Sequence, residues 1–320
     1  MVNDGPVVVT GAAGFLGRRI VREVSALGRS VRAIVRRPEQ HTIVDLANVE
    51  AVEADITDAD SLAAAMSGAS LVVHSAAILR EHRGTTYESV NVQGTQRVFQ
   101  AAVDAGIPRG MLVSVVGADQ TSPVRYLNSR GKSEAAAQAS GIDLSIARLS
   151  ALFGEGDEFT NALAALVRLG PFVPVIGSGN SRFQPFAADD AAYAIARLAH
   201  SPAHDGEILE LGGPDVLDYI QILDLIAETL GRRTIKIRLP IPLMTPVVRI
   251  MEFLTPNPPV TSEQLQMLNI DNVASGPSFE VLLDRPPRPM RGNITYVTRV
   301  GKFAALRIML GRMPKHIRDH

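Results

Sequence analysis

Three glycines near the start of the chain are spaced as in a phosphate-binding turn. The stretch TGAAGFLG at 10–17 places them at Gly11, Gly14 and Gly17. The first permits a tight turn, the second lets the backbone approach a pyrophosphate, and the third lets a helix pack closely on a sheet. Free N–H groups at the N-terminus of that helix favour negative charge. We therefore predict a dinucleotide site with contacts from Gly11, Ala13, Gly14, Phe15, Leu16 and Gly17.

Two arginines, Arg36 and Arg37, follow the second apolar run. Sites that select NAD usually have a carboxylate there, which holds the ribose 2′-hydroxyl. A guanidinium instead pairs with a 2′-phosphate. We expect these two arginines to favour NADP(H) over NAD(H), with Arg18 as a second candidate contact to phosphate.

The composition excludes several classes of function. The chain has 320 residues, no cysteine, and a formal net charge of −1, so it carries no overall field that would attract nucleic acid. Without cysteines there are no disulfides, thiolate zinc sites or Cys nucleophiles, and the 7 histidines form no ligand-spaced cluster, so we expect no metal site. The first strand begins almost at once and no long apolar run occurs, so we expect a cytoplasmic protein, either free or peripheral at a membrane.

Strands alternate with helices through the first half of the chain. The unbroken apolar run at 7–10 is typical of a strand buried on both faces of a parallel sheet. Strands are predicted at 7–10, 30–35, 50–54, 71–74, 111–114 and 143–148, and helices at 15–27, 61–66, 87–105 and 125–140. This alternation predicts an α/β fold with a Rossmann doubly wound parallel sheet.

The pattern loosens after Phe153, where proline and glycine become frequent. Helices are predicted at 189–200 and 219–230, and Pro-rich segments at 240–246 and 256–259. We predict a Rossmann domain over 1–155, rejoined by 181–212. A smaller, mostly helical domain that supplies a substrate or partner surface is predicted over 156–180 and 213–287. Its aromatic residues could line a substrate pocket, although core packing is the simpler role for most of them.

A basic segment, 288–320, ends the chain. It contains eight Lys and Arg residues against Asp319 alone. Its apolar residues Phe303, Leu306, Ile308, Met309 and Leu310 predict an amphipathic helix. Either this tail docks on the core with solvated charges, or it binds an anionic membrane surface or a protein partner.

Several motifs together resemble the atypical and extended short-chain dehydrogenases/reductases, over about residues 5–275. The branch that includes the nucleotide-binding accessory subunit of mitochondrial complex I, its bacterial relatives and NmrA-like proteins is the most similar. The resemblance is carried by TGAAGFLG at 10–17, VEADITD at 52–58, VVHSAA at 72–77, NVQGT at 91–95, IVRRP at 34–38, ARLSALFG at 147–154, FQPFAADD at 183–190 and PPVTSEQL at 258–265. It implies further cofactor contacts from Asp55, Ile56, Ser75, Ala76, Ala77 and Asn91.

The resemblance also implies a catalytic set. In this family a Tyr exchanges a proton while hydride moves to or from the nicotinamide, a Lys four residues later assists it, and a Ser binds the substrate oxygen. Ser114 and Tyr126 match, but Arg130 stands where the Lys is expected and Lys132 lies two residues further on. Six residues correspond to about 240° around a helix, so Lys132 could act only if the helix were distorted. Arg130 keeps the positive charge and is expected to lower the pKa of Tyr126, but it is a poor proton relay.

Two main kinds of function remain open from the sequence, besides another reaction such as epimerisation. One is an NADPH-dependent oxidoreductase that acts on an apolar carbonyl or quinone-like substrate with Tyr126 as proton donor. The other is a non-catalytic NAD(P)H-binding subunit, assembly factor or redox sensor with a structural cofactor. We expect a small, apolar substrate and no nucleic acid partner. The tail would bind a membrane or a protein. Many relatives dimerise through long helices, so the resemblance is compatible with a homodimer.

Overall fold

Seven parallel strands form one sheet in the computed structural model, which describes residues 5–40, 45–82, 84–254, 261–276 and 285–318. The strands are β1 (Val7–Thr10), β2 (Val31–Val35), β3 (Val49–Glu53), β4 (Leu71–His74), β5 (Arg109–Val115), β6 (Asp143–Leu149) and β11 (Ile208–Leu211). Their order across the sheet is β11-β6-β5-β4-β1-β2-β3. The order reverses beside β1, and ligands of open α/β sheets bind at such a switch point. The Rossmann fold predicted from the sequence is confirmed.

The central strands β1 and β4 are apolar and buried. Every residue of β1 and β4 is buried, because helices cover both faces of the sheet. The two strands pair in register, with Val7 opposite Leu71 and Thr10 opposite His74. The carboxyl ends of β1 and β4 therefore lie side by side, which brings the glycine motif next to the segment that follows His74.

Four helices connect the strands of this sheet: α1 (Gly17–Ala26), α2 (Ala59–Met66), α3 (Gln93–Asp104) and α4 (Arg125–Gln138). The helix predicted over 87–105 begins with a π-helical turn, Glu88–Val92, before α3. The buried Asn91 lies in that turn. π-Helical turns are frequent at functional sites, because the extra residue redirects a side chain.

The seventh strand, β11, was not predicted. Its sequence, Ile208-Leu-Glu-Leu211, is short and amphipathic, and it pairs in parallel with β6. Edge strands are exposed on one side, so they lack the unbroken apolar run that marks a central strand. Helix α6 (Ala188–His200) and the 3₁₀ turn Pro202–His204 precede it.

The chain divides into two compact units. The first comprises the described residues within Met1–Leu149, Ala188–Leu211 and Ser275–Pro286, and the second those within Ser150–Ala187, Gly212–Ala274 and Pro287–His320. The first unit thus ends at Leu149, not at 155, and resumes at Ala188, not at 181. The reason is that β7 (Leu152–Phe153) pairs with β10 (Phe186–Ala187) in a separate small sheet of the second unit. Ser275 rejoins the first unit, where its N–H and hydroxyl donate to Glu210 at 2.9 and 2.7 Å.

The second unit is mostly helical, as predicted. Its elements are α5 (Phe159–Leu169), β8 (Phe172–Ile176), β9 (Arg182–Phe183), β12 (Leu217–Asp218), α7 (Tyr219–Thr229), β13 (Ile235–Leu239), α8 (Ile241–Leu254), α9 (Ser262–Met267), the 3₁₀ turn Thr295–Arg299, α10 (Lys302–Met309) and α11 (Lys315–Arg318), besides β7 and β10. Helix α8 forms across the Pro-rich segment and contains Pro246. The predicted Pro-rich segment at 256–259 lies outside the described residues. Within the described residues, no helix combines the length and apolar character needed to cross a membrane.

The core of the second unit includes apolar residues of the basic segment. Val297, Val300, Ala304, Ala305 and Ile308 are buried in the same apolar cluster as α5 and α7. The hydroxyl of Tyr296 donates to Asp157 Oδ2 at 2.6 Å and accepts from the N–H of Gly154 at 3.0 Å. The basic segment is therefore docked on the core along one face. Phe153, Phe183 and Phe186 are also buried, whereas Phe172 is exposed.

Candidate dinucleotide site

The glycine motif forms a turn that side chains would block. Gly11 has φ of +70°, and a Cβ there would lie 2.8 Å from the backbone nitrogen of Ala76. A Cβ on Gly17 would overlap the carbonyl oxygen of Gly11. The N–H of Gly14 donates to that same carbonyl at 2.8 Å, and Gly14 itself is exposed. The turn thus leaves open backbone at Gly14, in front of α1.

The N-terminus of α1 presents positive charge towards this turn. Its N-cap, Leu16, makes no side-chain hydrogen bond, and the first turn contains no acidic residue. The N-terminal end of the helix dipole is thereby left for an anion. Ala13, Phe15 and Leu16 lie at this end and are half-buried.

Arg19 fixes the position of Phe15, a contact that the sequence alone did not reveal. Its Nη1 donates to the Phe15 carbonyl at 2.6 Å, and its guanidinium carbon lies 4.5 Å from the centre of the Phe15 ring. Its Nε donates to Asp189 Oδ1 at 2.8 Å. A residue 170 positions away therefore helps to hold the turn.

Arg36 and Arg37 follow β2 and both side chains are exposed. The N–H of Arg36 donates to Gln40 Oε1 at 3.0 Å, and Nη1 of Arg37 lies 3.8 Å from Glu39 Oε1. Neither contact buries the guanidinium groups. Both cations are accessible at the carboxyl end of β2.

Asp55 and Ile56 follow β3. The Asp55 carboxylate accepts hydrogen bonds from the N–H and hydroxyl of Thr57 at 2.8 and 2.7 Å, which fixes the loop. Ile56 is buried, and a Cβ on Gly94 would come within 2.9 Å of its side chain. Ile56 therefore packs against α3.

A buried histidine joins the glycine turn to the π-helical turn. His74 Nδ1 lies 2.6 Å from Thr10 Oγ1, and its Nε2 lies 3.0 Å from Thr95 Oγ1. Since Thr95 donates its proton to the Asn91 carbonyl at 2.5 Å, His74 must donate from Nε2 and accept at Nδ1. Burial, with a smaller effect from Arg130, lowers the pKa of His74 to about 3, so the ring is neutral at physiological pH.

Two of the predicted cofactor contacts, Ser75 and Asn91, hold neighbouring backbone in place. The hydroxyl of Ser75 donates to the Thr10 carbonyl at 2.7 Å. The Asn91 amide accepts from the N–H of Ile78 at 2.9 Å and donates to the hydroxyl of Ser129 at 3.1 Å. That hydroxyl in turn donates to the Tyr126 carbonyl at 2.7 Å. The segment 75–78, which contains Ala76 and Ala77, is thereby tied to α4.

Tyr126 and Arg130 lie one turn apart on α4 and are both buried. Tyr126 is 5% exposed, and its ring centre lies 5.8 Å from that of Tyr87. Arg130 is 2% exposed. Its Nη2 donates to the Val113 carbonyl, but its Nε and Nη1 have no hydrogen-bond partner among the described residues. A buried guanidinium with unmet donors is costly, so these two groups are suited to acceptors from a bound molecule.

Burial dominates the acid–base behaviour of this pair. It raises the pKa of Tyr126 above its ordinary value, and the charge of Arg130 only partly opposes that effect. Arg130 lowers the pKa of Tyr126, as predicted from the sequence, but burial outweighs that effect and the net shift is upward. Burial likewise lowers the pKa of Arg130, against the opposing effects of Tyr126 and Glu134.

Ser114 is held by a carboxylate. Its hydroxyl donates to Glu134 Oε1 at 2.5 Å. The same carboxylate accepts from Arg148 Nε and Nη2 at 3.0 and 2.6 Å, and Arg148 Nη1 lies 3.4 Å from Glu210 Oε1. The contacts of Glu134 join residues from three separate segments of the chain and could not be predicted from local spacing. The structure therefore shows an additional charged network beside the predicted residues.

Lys132 is exposed, whereas Arg130 two residues earlier is buried. Helix α4 is α-helical throughout, without the distortion that would turn Lys132 inward. Lys132 therefore does not lie on the buried face of α4 that holds Tyr126. Arg130 is the cation that shares the buried face of α4 with Tyr126.

The chain therefore offers residues that suit a nicotinamide dinucleotide. The glycine turn leaves backbone that a Cβ would fill, the adjoining helix end lacks an acidic group, and Arg130 has two unmet buried donors. These three observations are independent of one another. The first two match the pyrophosphate of such a molecule, and the third matches a hydroxyl-bearing ribose.

Comparison with known proteins agrees with this assignment. A family model described as NAD(P)H-binding matches residues 11–167. The chain is 28% identical to NADH dehydrogenase (ubiquinone) 1 alpha subcomplex subunit 9 of Arabidopsis thaliana, over 83% of this chain and 68% of that protein. It is 31% identical to a ceramide reductase of Caulobacter vibrioides, over 74% of each chain.

A solved structure shares the fold. The dTDP-glucose 4,6-dehydratase DesIV of Streptomyces venezuelae, with NAD and TYD bound, superposes with a TM-score of 0.68 at 23% identity, over 92% of this chain and 96% of that one. The glycine turn, the parallel sheet and these relatives lead to one assignment. The chain belongs to the NAD(P)H-binding, atypical short-chain dehydrogenase/reductase family, together with the complex I subunit and the ceramide reductase.

Proposed function

We propose that this chain is an NADPH-dependent oxidoreductase that reduces an apolar carbonyl or quinone-like substrate, with Tyr126 as the proton donor. The buried pair of Tyr126 and Arg130 carries the proposal. Two unmet N–H groups of Arg130 lie one helical turn from a buried phenol, in a chain of a family that contains reductases. A structural tyrosine would not need a costly buried cation beside it.

Several residues would hold the cofactor. Gly11, Gly14 and Gly17, with the N-terminus of α1, would bind the pyrophosphate, and Ala13, Phe15 and Leu16 would flank it. The adenine would adjoin Asp55 and Ile56. The opposite side of the cofactor would be lined by Ser75, Ala76, Ala77 and Asn91. Arg130 would donate its unmet N–H groups to the nicotinamide ribose. The bound cofactor supplies a hydride to the carbonyl carbon of the substrate.

Tyr126 supplies the accompanying proton. Its O–H bond breaks and the proton passes to the oxygen of the substrate carbonyl, which becomes a hydroxyl. The phenol is protonated at neutral pH, since burial raises its pKa, and the charge of Arg130, which opposes that rise, would make the proton easier to transfer. The adjacent Arg130 stabilises the phenolate that remains, and it does so without exchanging protons itself.

The accessible arginines after β2 support a preference for NADP(H). Arg36 and Arg37 are exposed at the end of a strand where NAD-specific sites usually have a carboxylate. A guanidinium makes strong, charge-assisted hydrogen bonds to a phosphate. The 2′-phosphate of NADPH would be their ligand.

The proposed substrate class is supported by the relatives. A ceramide reductase, which is 31% identical to this chain, acts by its name on a lipid. A long apolar substrate with one carbonyl fits that likeness and the high hydrophobic fraction of this chain, 46%. A preference for small polar sugars would contradict it.

One observation favours a second function, a non-catalytic NAD(P)H-binding subunit. Ser114 commits its single proton to Glu134 and can offer a substrate oxygen only lone pairs. A relative, the Arabidopsis thaliana protein, is named as a subunit of NADH dehydrogenase. In that case the dinucleotide would stabilise the fold and would not be turned over.

A screen separates the two functions. The purified protein is loaded with NADPH and its fluorescence is followed during addition of long-chain ketones, aldehydes and quinones, with Tyr126→Phe as a matched variant. Oxidation of NADPH by an apolar acceptor, lost in Tyr126→Phe, supports the reductase. Tight binding of NADPH without oxidation by any acceptor supports the non-catalytic subunit.

A further inference from the structure

Several large apolar side chains of helix α10 lie on the face that points away from the core of its unit. The face against the core buries Ala304, Ala305 and Ile308. The outward face carries Phe303, Leu306 and Leu310, which are 75%, 51% and 58% exposed. A surface helix of a soluble protein normally turns its large apolar residues inward and its polar residues outward. Among the residues that the structure describes, none covers the outward stripe of α10.

Cations share that stripe. Lys302 and Arg307 are exposed at positions adjoining Phe303 and Leu306, and the exposed Arg312 follows just after the helix. No Asp or Glu occurs between Arg285 and Arg318 in the sequence. Apolar and basic side chains thus occupy one helical face, without neighbouring acidic residues in the chain.

We propose that the outward face of α10 is a docking surface for an anionic lipid bilayer. Phe303, Leu306 and Leu310 would enter the boundary between headgroups and acyl chains, and Lys302, Arg307 and Arg312 would lie at the level of the lipid phosphates. Interfacial helices combine these two residue types on adjoining positions, because apolar burial and attraction to anionic headgroups add.

Charge argues against a second copy of the chain as the occupant. In a two-fold contact the same patch faces itself, so Lys302, Arg307 and Arg312 would oppose the same three cations. Like charges opposed in an interface are unfavourable, and no acidic residue of this segment could compensate. An anionic surface complements the patch instead.

A second helix of the same unit repeats the pattern. Helix α8 buries Val248 but exposes Leu243, Ile250 and Phe253, the last of which is 90% exposed. Arg249 is also exposed on this helix. Most large apolar side chains that are exposed among the described residues belong to this second unit.

The proposal can be tested by flotation of the full-length protein, saturated with NADPH, with vesicles. The vesicles contain either phosphatidylcholine alone or a mixture with phosphatidylglycerol. We expect binding only to the mixture and a decrease as salt is raised. Lys302→Gln with Arg307→Gln should weaken binding about 5-fold for each charge removed. Phe303→Ser with Leu306→Ser should weaken it by about 10-fold or more.

Matched control variants distinguish an effect of the α10 surface from a general loss of positive charge or of exposed apolar side chains. Arg22→Gln with Arg233→Gln removes the same charge from exposed positions elsewhere, and Leu46→Ser with Val103→Ser removes exposed apolar side chains of the first unit. Both should bind vesicles like the wild-type protein. Retained NADPH binding shows that each variant is folded.

Three results would overturn the proposal. They are no binding to the anionic vesicles at low salt, binding that the α10 variants do not change, and a protein dimer in solution that those variants dissociate. The measurement does not depend on turnover. A failure to oxidise any substrate would therefore leave it intact, and a failure to bind vesicles would leave the reductase proposal intact.

Discussion

The hydroxyl of Ser114 donates a hydrogen bond of 2.5 Å to the carboxylate of Glu134. Glu134 in turn pairs with Arg148, so the serine is fixed by a charged network that spans β5, α4 and β6. A hydroxyl has one proton, and this one is used. Ser114 therefore has no proton left for the carbonyl oxygen of a substrate, which leaves Tyr126 as the donor in the proposed reduction.

Replacement of Glu134 by Gln should destabilise the protein. The change removes the charge that pairs with Arg148 at 2.6 Å in a largely buried position. We expect the free energy of unfolding to fall by about 2 kcal/mol, measured by urea denaturation. Glu50→Gln is the control, because its exposed pair with Arg32 at 3.3 Å should contribute little. Equal effects of the two changes would contradict the importance assigned to the network.

The double variant Arg36→Gln, Arg37→Gln should lose affinity for NADPH and not for NADH. Only NADPH carries the 2′-phosphate that the guanidinium groups would bind. The Kd for NADPH, measured by fluorescence titration, should rise about 10-fold to 100-fold, since hydrogen bonds to charged groups are worth about 1.5–3 kcal/mol. Lys132→Gln removes an exposed cation of the same unit and should leave both affinities unchanged. If NADH binding weakens equally, these arginines do not select the 2′-phosphate.

Replacement of Gly17 by Ala should disrupt the glycine turn. The new Cβ would overlap the Gly11 carbonyl, so the backbone must shift. We expect a loss of about 1–3 kcal/mol in the free energy of unfolding, together with weaker NADPH binding. Gly170→Ala serves as control, because its backbone is extended and its nearest atom would be 3.9 Å away. Normal stability and cofactor affinity in Gly17→Ala would show that the close approach is not needed.

Acid should destabilise the fold through His74. The pKa of this residue falls from its ordinary value of 6.5 to about 3 on folding. Between those values the unfolded chain binds a proton that the folded chain does not, so stability is complete above about pH 6.5 and is lost as pH falls. The contribution approaches about 1 kcal/mol for each pH unit.

Urea denaturation between about pH 6 and about pH 4 checks this pH dependence. His74→Gln should show a shallower loss of stability with acid than the wild-type protein. His204→Gln, at a more exposed histidine that pairs with Glu207, should keep the wild-type slope. Identical slopes in all three proteins would rule out His74 as the source.

The parts of the fold that could be predicted are those with a local signal. The six predicted strands lie within two residues of their observed bounds, because each is a short segment in which apolar residues predominate. The edge strand β11 and helix α5 were missed. Each lacks a distinctive local pattern, and each is fixed by partners distant in sequence, such as β6 for β11.

The candidate site could likewise be predicted only where the signal is local in the sequence. The glycine turn lies between β1 and α1, and Tyr126 and Arg130 lie one turn apart on α4, as their positions along the chain predict. Their roles in binding and catalysis stay predictions. The contacts of Arg19 with Asp189 and of Glu134 with Arg148 join separate segments and leave no mark on local spacing. The helix at 302–309 was predicted to be amphipathic, but its apolar residues lie on both faces. The face that packs on the core of its unit has room only for small side chains and Ile308.

A single-turnover experiment tests the central claim most directly. The protein loaded with NADPH is mixed rapidly with the best apolar acceptor from the screen, and the loss of fluorescence is recorded for the wild-type protein, Tyr126→Phe and Arg130→Lys. We predict oxidation that slows about 100-fold or more in Tyr126→Phe, since general acid catalysis contributes on that order, and that persists in Arg130→Lys, which keeps the cation. An unchanged rate in Tyr126→Phe would contradict the assignment of Tyr126 as the proton donor.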